Sequence, residues 1–364
     1  MTVYDRAEAG HGASWAAAGM LAAAVETEPG EEELLALTLR SQRMWASFAR
    51  ELEAVSDISV GYRDEGTIVV ALTRDDAEHL RHTYDFQKSL GLELQWLSGA
   101  EARRREPHLW PGTPAAMFSP QDHQVENRWL AQALAEAARR AGGVLREHAP
   151  VREVEVVGGR ARAVLTDHGS DPADVVVLAA GAWSREITGI PSAYLPPVRP
   201  IKGQMLALRM DPSAPLLRHV IWAPRSYLVP RRDGRLIVGG TVEERGFDDT
   251  LTAGGLLALL EGAWRAIPTI EELPIAETWV GFRPGSRDDA PILGPSGIDG
   301  LVIATGHHRN GILLTPVTVE TIAAYILTGH LTKIVEPFTP GRFGDRRAQS
   351  VATTGQTVAA QVRS

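Results

Sequence analysis

Leu301-Val-Ile-Ala-Thr-Gly-His-His-Arg-Asn-Gly-Ile-Leu-Leu-Thr-Pro316 is the stretch of sequence that decides the fold. Its first four residues are apolar and predict a buried strand, glycines 306 and 311 allow tight backbone, and the residues from Ile312 onward predict a helix. The first turn of a helix carries unpaired N–H groups and about half a unit of positive charge. A ligand at this junction is therefore expected to be electron-rich or anionic. Arg309 lies in the same loop.

Three further strings accompany this junction. They are Gly12-Ala13-Ser14-Trp15-Ala16-Ala17-Ala18-Gly19-Met20-Leu21, Val177-Leu178-Ala179-Ala180-Gly181-Ala182-Trp183-Ser184 and Gly281-Phe282-Arg283-Pro284. In this order, and together with residues 301–316, they resemble the FAD-dependent glycine oxidases of the D-amino-acid oxidase family. The resemblance extends from Val3 to about Phe343. It implies a noncovalent FAD cofactor, a small amino-acid substrate, O2 as the electron acceptor and a homotetramer.

The composition excludes several other classes of protein. A net charge of −8 without a Lys/Arg-rich run argues against a nucleic-acid partner. The absence of cysteine excludes disulfides, thiolate metal sites and a cysteine nucleophile. The histidines lack a metal-binding spacing, and no Gly-x-Ser-x-Gly elbow of a hydrolase occurs. No apolar run approaches the roughly 18 residues of a membrane span, and residues 16–25 lack the basic leader of a signal peptide. We therefore expect a cytoplasmic protein without a metal or a membrane partner.

The distribution of apolar strands predicts the domain organisation. Such strands with glycine loops lie near the start, around 145–184 and around 300–328, whereas shorter alternating strands fill the intervals. This order predicts a mixed α/β (α+β) fold, in which a Rossmann-like FAD-binding domain is interleaved with a substrate domain on a mostly antiparallel sheet. The expected bounds are 1–56, 123–194 and 289–344 for the FAD-binding domain, 57–122 and 195–288 for the substrate domain, and 345–364 for a disordered tail.

Local patterns predict the individual elements. Helices are expected over 31–54, 75–90, 98–105, 127–141 with Asn127 as the cap, 252–267 and 310–328. Strands are expected over 66–72, 151–157, 161–166, 175–180 and 277–283, with a hairpin turn at Asp233-Gly234. The β-branched strand at 175–180 is expected to be buried on both faces.

The beginning of the chain is unusual for a dinucleotide-binding fold. Thr2 to Tyr4 have strand character, and Asp5 suits the acid that hydrogen-bonds the adenosine ribose about 20 residues after a Gly-x-Gly-x-x-Gly turn. No such turn occurs in the sequence. The resemblance implies that roughly 30 residues of strand, turn and helix should precede Met1. We favour the hypothesis that the start codon was assigned too late. The alternatives are that the chain is a fragment or that the protein has lost its pyrophosphate-binding turn. The chain as written should bind FAD poorly.

Four residues are candidates for contact with the substrate. Arg283 ends an apolar strand, where a charge needs a partner, and a structural ion pair is the plain alternative to a bidentate bond with a substrate carboxylate. The resemblance implies the carboxylate-binding role. It also implies that Arg309 and Tyr227 contact the substrate and that Met20 lines the substrate and the flavin. The alternative for Arg309 is a set of bonds to loop carbonyls. The alternative for Tyr227 is a half-buried position in a sheet, and the alternative for Met20 is packing in the core.

The resemblance also implies which residues bind the FAD. They are Asp5, Arg6, Ala13, Ser14, Gly19, Met20, Val151, Ala180, Gly181, Trp183, Gly306, His308, Arg309, Asn310, Gly311 and Ile312. No residue is assigned as a catalytic acid or base, because oxidation of an amine by a flavin does not demand one. Lone loop histidines such as His307 are more often solvated or structural.

The function implied by the resemblance is oxidative deamination of glycine or another small amino acid, with release of an imine or 2-oxo acid and H2O2. The imine could also serve thiamine thiazole synthesis. Within the same class, a sarcosine, D-proline or D-alanine oxidase or a dehydrogenase is the alternative. From a different class, the missing glycine turn suggests a flavin-free remnant with a binding role.

Overall fold

The structure is a computed structural model that describes residues 1–344. The predicted tail at 345–364 lies outside the described residues. The chain forms two compact units. The first comprises Met1–His148, Pro200–Arg283 and Arg309–Val317, and the second comprises Ala149–Arg199, Pro284–His308 and the described residues from Thr318 onward. The domain bounds expected from the sequence stay a prediction.

The described residues contain seven α-helices, of which α2 is the longest. In chain order they are α1 (Ala13–Ala16), α2 (Glu32–Ser56), α3 (Arg74–Ser89), α4 (Gly99–Arg105), α5 (Asn127–Arg140), α6 (Ala253–Ala266) and α7 (Thr315–Thr328). Five 3-10 turns cover Gly181–Trp183, Pro268–Glu272, His308–Asn310, Lys333–Phe338 and Pro340–Phe343. Thr73 and Ser98 cap the N-termini of α3 and α4 with complete capping boxes. Each hydroxyl accepts from the backbone N–H of the third helical residue, and the side chain of that residue accepts from the backbone N–H of the cap.

Eighteen strands are present in the described residues. They are β1 (Thr2–Tyr4), β2 (Met20–Leu21), β3 (Thr67–Val70), β4 (Gln95–Ser98), β5 (Ala115–Ser119), β6 (His123–Gln124), β7 (Val144–Arg146), β8 (Val151–Val157), β9 (Arg160–Thr166), β10 (Gly169–Pro172), β11 (Val176–Leu178), β12 (Arg199–Arg209), β13 (Val220–Ala223), β14 (Ser226–Pro230), β15 (Arg235–Gly239), β16 (Ile275–Gly285), β17 (Ile292–Pro295) and β18 (Leu301–Thr305).

An eight-stranded sheet dominates the first unit, with the strand order β16-β12-β15-β14-β13-β3-β5-β4. The pairs β12–β15, β14–β15, β13–β14, β3–β5 and β4–β5 are antiparallel, and β13–β3 is parallel. Gly234, at φ +86, lies in the turn between β14 and β15, as the Asp-Gly signal predicted. The predicted mixed fold with a mostly antiparallel sheet is confirmed.

Alternation along β12 gives the sheet two different faces. Leu206 and Leu208 join a cluster that includes Leu259 of α6. Met205 and Ala207, one residue out of step, join a second cluster with Ala16 and the neighbouring Ala18. Because successive side chains point to opposite faces of a strand, one face is covered by a helix. The other receives the alanine-rich segment that the sequence assigned to the cofactor.

The first unit also contains β1, which pairs in parallel with β7 from Thr2↔Val144 to Tyr4↔Arg146. The strand character predicted for residues 2–4 is thus confirmed. In the second unit β11, β18 and β17 form one sheet, with β11 and β18 parallel, and β10, β9 and β8 form another. The buried strand predicted at the start of the 301–316 stretch is β18, whose Leu301 and Ile303 are at most 1% exposed.

Three local predictions were wrong. The strand at 175–180 is not buried on both faces, because β11 is an edge strand of its sheet and Val177 is 39% exposed. Asn127 does not cap α5. The Glu126 side chain accepts the bond from Arg128 N, whereas Asn127 lies inside the first turn. The last helix begins at Thr315 instead of 310, since residues 308–310 form a 3-10 helix and residues 311–314 form a hydrogen-bonded turn.

Candidate active site

Arg283 lies in β16, and its guanidinium lies close to Gly203 of the neighbouring strand β12. Its Nη1 donates to the Thr241 carbonyl over 3.0 Å. A Cβ added to Gly203 of β12 would lie 2.5 Å from Nη1, and one added to Gly240 would lie 3.0 Å from Nη2. Two glycines therefore leave the space that the guanidinium occupies. The side chain is partly exposed, so its remaining donors are open to a carboxylate ligand.

Tyr227 and Met20 lie next to this guanidinium. A Cβ on Gly240 would lie 3.1 Å from the Tyr227 hydroxyl as well as 3.0 Å from Arg283 Nη2. Burial raises the pKa of Tyr227, and the charge of Arg283 opposes the rise. The phenol therefore stays protonated as a donor. The Trp222 ring is tilted by 35° against the Tyr227 ring, with the ring centroids 5.6 Å apart, and its Nε1 donates to the Met20 sulfur over 3.3 Å. The predicted residues Met20, Tyr227 and Arg283 thus share one region of the first unit.

Replacement of Gly203 by alanine should impair this region without unfolding it. The new methyl group would approach Nη1, Cζ and Nη2 of Arg283 to 2.5–3.1 Å, so the guanidinium must move. We expect the KM for the amino-acid substrate to rise about 10- to 100-fold, because a displacement of this size at a positioning group is that costly. Steady-state kinetics measure it. Gly254→Ala is the control, since a Cβ there meets nothing within 4 Å. An unchanged KM in Gly203→Ala would contradict the placement of Arg283.

Arg309 is held by two carboxylates. Its Nη2 donates to both oxygens of Glu31, at 2.6 and 2.7 Å, and its Nε lies 3.1 Å from Glu26 Oε2. Burial lowers the pKa of Arg309, but Glu26 and Glu31 raise it by more. Arg309 is therefore already neutralised within the protein. A direct bond from Arg309 to the substrate stays a prediction.

Glu26 pairs with Arg309 and is also affected by the charge of Arg283. Its side chain is only 10% exposed. Burial raises its pKa to about 7, while the charges of Arg309 and Arg283 act in the opposite direction. Both guanidinium groups are therefore close enough to the Glu26 carboxyl to affect its ionisation. The sequence analysis did not identify Glu26.

The raised pKa of Glu26 predicts a pH dependence of stability. The folded protein binds this proton more tightly than the unfolded chain does, so the stabilisation is complete below the ordinary glutamate pKa of 4.5 and is lost as the pH rises through the folded-state pKa of about 7. We expect the urea midpoint of the wild type to fall between pH 5 and pH 8 relative to that of Glu26→Gln. Parallel urea titrations of the two proteins measure the difference. Identical pH profiles would show that Glu26 does not titrate in this range.

The segment before Met20 is fixed by a buried arginine. Arg231 Nη2 donates to Ala18 O over 2.6 Å and to Asn127 Oδ1 over 3.0 Å, and Nη1 donates to Val125 O over 2.6 Å. Gly19 adopts φ +69, and a Cβ there would collide with the Val125 carbonyl. Only glycine fits at this position. The backbone at 18–20 is therefore rigid where the sequence analysis expects flavin contact.

The other predicted cofactor residues of the first unit lie in its loops and turns. Asp5 follows β1, and its Oδ1 accepts the bond from Ala7 N, as expected of an acid fixed at a strand end. Arg6 is exposed, and Ala13 and Ser14 form the first turn of α1. The remaining residues are Asn310, Gly311 and Ile312. Asn310 accepts at its carbonyl from Leu314 N, which continues the helical path into α7.

In the second unit the predicted residues gather at the carboxyl ends of β11 and β18. Gly181 has φ +55, and a Cβ there would meet nothing within 4 Å. Ser184 Oγ and Thr305 Oγ1 both donate to the Gly181 carbonyl, so the turn is fixed from below while the space above it is open. Ala180 and Trp183 flank this glycine. Ligands bind at the carboxyl ends of parallel strands, and the open space at Gly181 fits an extended cofactor.

Gly306, His307 and His308 follow β18. Gly306 has φ +72 and His308 has φ +47, a conformation that is uncommon for a residue with a side chain. Burial lowers the pKa of His307 to about 4, so it is neutral, and its Nε2 lies 3.0 Å from Thr318 Oγ1. This supports the structural interpretation of His307. Val151 begins β8, in the same unit.

Among the described residues 1–344, no group of three or more histidines and acids could hold a metal ion. Within the same range, no helix combines the length and the apolar character needed to cross a membrane. The open turn at Gly181 and the rigid backbone at 18–20 fit a flavin cofactor, each within its own unit. Arg283 and Tyr227 fit a small carboxylate.

The comparisons with known proteins agree with this interpretation. Residues 1–325 match the family described as "FAD dependent oxidoreductase" (DAO). The "Bifunctional protein ThiO/ThiG" of Synechocystis sp. is 38% identical over 91% of this chain and 48% of its own length. The "Glycine oxidase" of Geobacillus kaustophilus is 35% identical over 92% of both chains, and its crystal structure matches with a TM-score of 0.86 over 93% of this chain and 90% of that one.

These findings define the class of protein, an oxidoreductase that uses a flavin. The chain belongs to the DAO family of FAD-dependent oxidoreductases. The family that the sequence strings resemble is thus confirmed, and FAD is the cofactor of that family. The chain spans about half the length of the first curated relatives that it matches.

Proposed function

We propose that this protein oxidises glycine or another small amino acid with FAD, in the cytoplasm, and that the resulting imine serves thiamine thiazole synthesis or hydrolyses to a 2-oxo acid and ammonia. The single observation that carries the proposal is the arrangement of Arg283 and Tyr227 around Gly240, with Met20 beside them. The likeness to glycine oxidase and to the ThiO/ThiG proteins supports the substrate.

Each residue has a defined part in this proposal. Arg283 binds the substrate carboxylate in bidentate fashion, which fixes the α-carbon. The Tyr227 hydroxyl donates a second bond to the same carboxylate. Gly240 leaves room for both groups, since any side chain there would meet Arg283 and Tyr227. When bound, FAD supplies the two-electron acceptor, which O2 then reoxidises with formation of H2O2.

The cofactor residues of the sequence analysis belong to the same proposal. The FAD-binding domain comprises 1–56, 123–194 and 289–344, and the substrate domain comprises 57–122 and 195–288. Arg309 assists binding through its pair with Glu26 and Glu31. Association into a homotetramer is also part of the proposal, and light scattering tests it.

A peroxide assay against glycine, sarcosine, D-alanine and D-proline tests the activity. We expect turnover of glycine and slower turnover of the larger substrates. Preference for another of the four would identify a sarcosine or D-amino-acid oxidase instead. The visible spectrum of the purified protein shows whether flavin is bound. A protein without flavin bands and without turnover would support the binding remnant and contradict the enzyme.

A further inference from the structure

A loop that begins after β15 fixes the orientation of Arg283. The loop consists of residues 240–252, and Thr241 provides the carbonyl to which Arg283 Nη1 donates over 3.0 Å. The Tyr227 side chain also interacts with the guanidinium through a hydrogen bond, but only Thr241 holds it from the backbone of this loop. A shift of Thr241 O would therefore change the direction in which the guanidinium presents its other donors.

Thr241 is itself held by two buried or partly buried polar groups. Its hydroxyl donates to Glu243 Oε1 over 2.6 Å and accepts from the backbone N of Gln204 over 2.8 Å. The Gln204 side chain, which is 0% exposed, donates through Nε2 to the same Glu243 Oε1 over 2.8 Å. One carboxylate oxygen thus receives bonds from both Thr241 and Gln204.

Gln204 connects this loop to the rigid sheet. It lies in β12 beside Gly203, on which the guanidinium rests. Its Oε1 accepts from Thr252 N over 2.8 Å, and the Thr252 hydroxyl caps α6. Both ends of the loop are therefore bonded to Gln204, residue 241 through the Gln204 backbone N–H and residue 252 through the Gln204 side chain. Buried networks in which each polar group has a partner hold a single geometry.

Nothing in the oxidation itself requires this network. A loop that served only to connect β15 to α6 would not need a buried glutamine on the neighbouring strand β12. Burial of a side-chain amide is costly unless the amide is hydrogen-bonded. The exposure of the neighbouring Val242, at 70%, shows that the loop is not held by apolar packing at this point. The polar network is therefore what determines the path of the chain at Thr241.

We propose that Gln204, Thr241 and Glu243 form a positioning device for Arg283, which sets the affinity of the site for the carboxylate of a small amino acid. The inference rests on the proposed function. The residues do not touch the substrate. They act through the direction in which Arg283 presents its donors.

Variants of Glu243 separate positioning from charge. Glu243→Ala removes the oxygen that accepts both bonds, whereas Glu243→Gln keeps one acceptor oxygen and removes only the charge. We expect KM for glycine to rise about 10- to 100-fold in Glu243→Ala, with kcat changed much less. We expect a near-normal KM in Glu243→Gln. The exposed Asp249 lies in the same loop, so Asp249→Ala is the control for loss of a carboxylate.

A double-mutant cycle tests that the effect passes through Arg283. In an Arg283→Lys background the additional change Glu243→Ala should cost little, because the group it positions is gone. Additive effects would overturn the inference, as would a low KM in Glu243→Ala or an equal loss in Glu243→Gln. The backbone pairs between Lys202 and Glu243, at 2.9 and 3.0 Å, remain in all variants and keep the loop attached.

The role of Gln204, Thr241 and Glu243 can be tested even if the proposed function is wrong. If the wild type oxidises none of the amino acids, the same variants are titrated calorimetrically with glycolate, which has the carboxylate of glycine but no amine. Weaker binding of glycolate by Glu243→Ala than by Glu243→Gln would support the inference even then. Equal binding by both variants would overturn it.

Discussion

Replacement of Arg283 by alanine is expected to lower kcat/KM for the amino-acid substrate about 1,000-fold or more. The physical reason is the loss of a bidentate, charge-assisted pair of hydrogen bonds, each of which contributes about 1.5–3 kcal/mol. A factor of ten corresponds to about 1.4 kcal/mol, so two such bonds account for an effect of this size. Steady-state peroxide formation measures it. Arg283→Lys should also be impaired, since an ammonium cannot reproduce the planar fork.

The matched control is Arg287→Ala, because Arg287 is exposed and lies only four residues further along the chain. We expect its activity to be that of the wild type. The visible spectrum of Arg283→Ala should be unchanged, since the residue is assigned to the substrate and not to the flavin. Normal kcat/KM in Arg283→Ala would remove the basis of the proposed site.

The largest effect on stability is expected from Arg231→Met. Arg231 is 5% exposed and donates to Ala18 O, Val125 O, Gln124 Oε1 and Asn127 Oδ1. Burial lowers its pKa to about 10, with the charge of Glu126 opposing the shift. Glu126 keeps its ion pair with Arg235 at 2.7 Å, so the loss comes from the buried acceptors of Arg231, each of which costs about 1–3 kcal/mol when it is left without a donor. The carbonyls of Ala18 and Val125 are two such acceptors.

Urea titration of the two proteins measures this loss, and Arg232→Met is the control, since the adjacent Arg232 is exposed. We expect a large fall of the midpoint for Arg231→Met and almost none for Arg232→Met. The retained fraction of flavin should also fall in Arg231→Met, because Ala18 begins the segment assigned to the cofactor. Equal midpoints in the two variants would show that the buried network contributes little to folding.

The sequence predicted those features that depend on local patterns. The apolar run at 301–304 lies in a buried strand, and Asp233-Gly234 is a turn. These depend on the period of the chain and on turn chemistry. The prediction that the strand at 175–180 is buried on both faces was wrong, because burial depends on where the strand lies in the sheet and not on its composition.

The candidate site was predicted only in part, for a related reason. Arg283, Tyr227 and Met20 were named from the resemblance, and the structure brings them together. Glu26, Gln204 and the other partners of the arginines were missed, because their pairs join residues that are far apart in sequence. One signal was available. A lysine, a glycine and a glutamine interrupt the apolar strand at 202–204, and glycine inside a strand often marks a close approach of another group.

The predicted role of Arg309 illustrates the same limit. The sequence places one arginine in a glycine loop, and a charge there invites a ligand. The structure provides two carboxylates, Glu26 and Glu31, which come from the segment after Met20. A basic side chain in a loop can be neutralised by acids that no local pattern connects to it. The charge that faces the ligand is therefore a property of the fold.

Anaerobic reduction of the flavin is the most direct test of the central claim, that Arg283 holds a small amino acid for oxidation by FAD. Glycine is mixed with the purified protein in the absence of O2, and the visible absorbance of the oxidised flavin is followed in the wild type and in Arg283→Ala. We predict rapid loss of the absorbance in the wild type and a rate at least about 100-fold lower in the variant at the same glycine concentration. Equal rates in the two proteins, or no reduction by any of the four amino acids, would contradict the account.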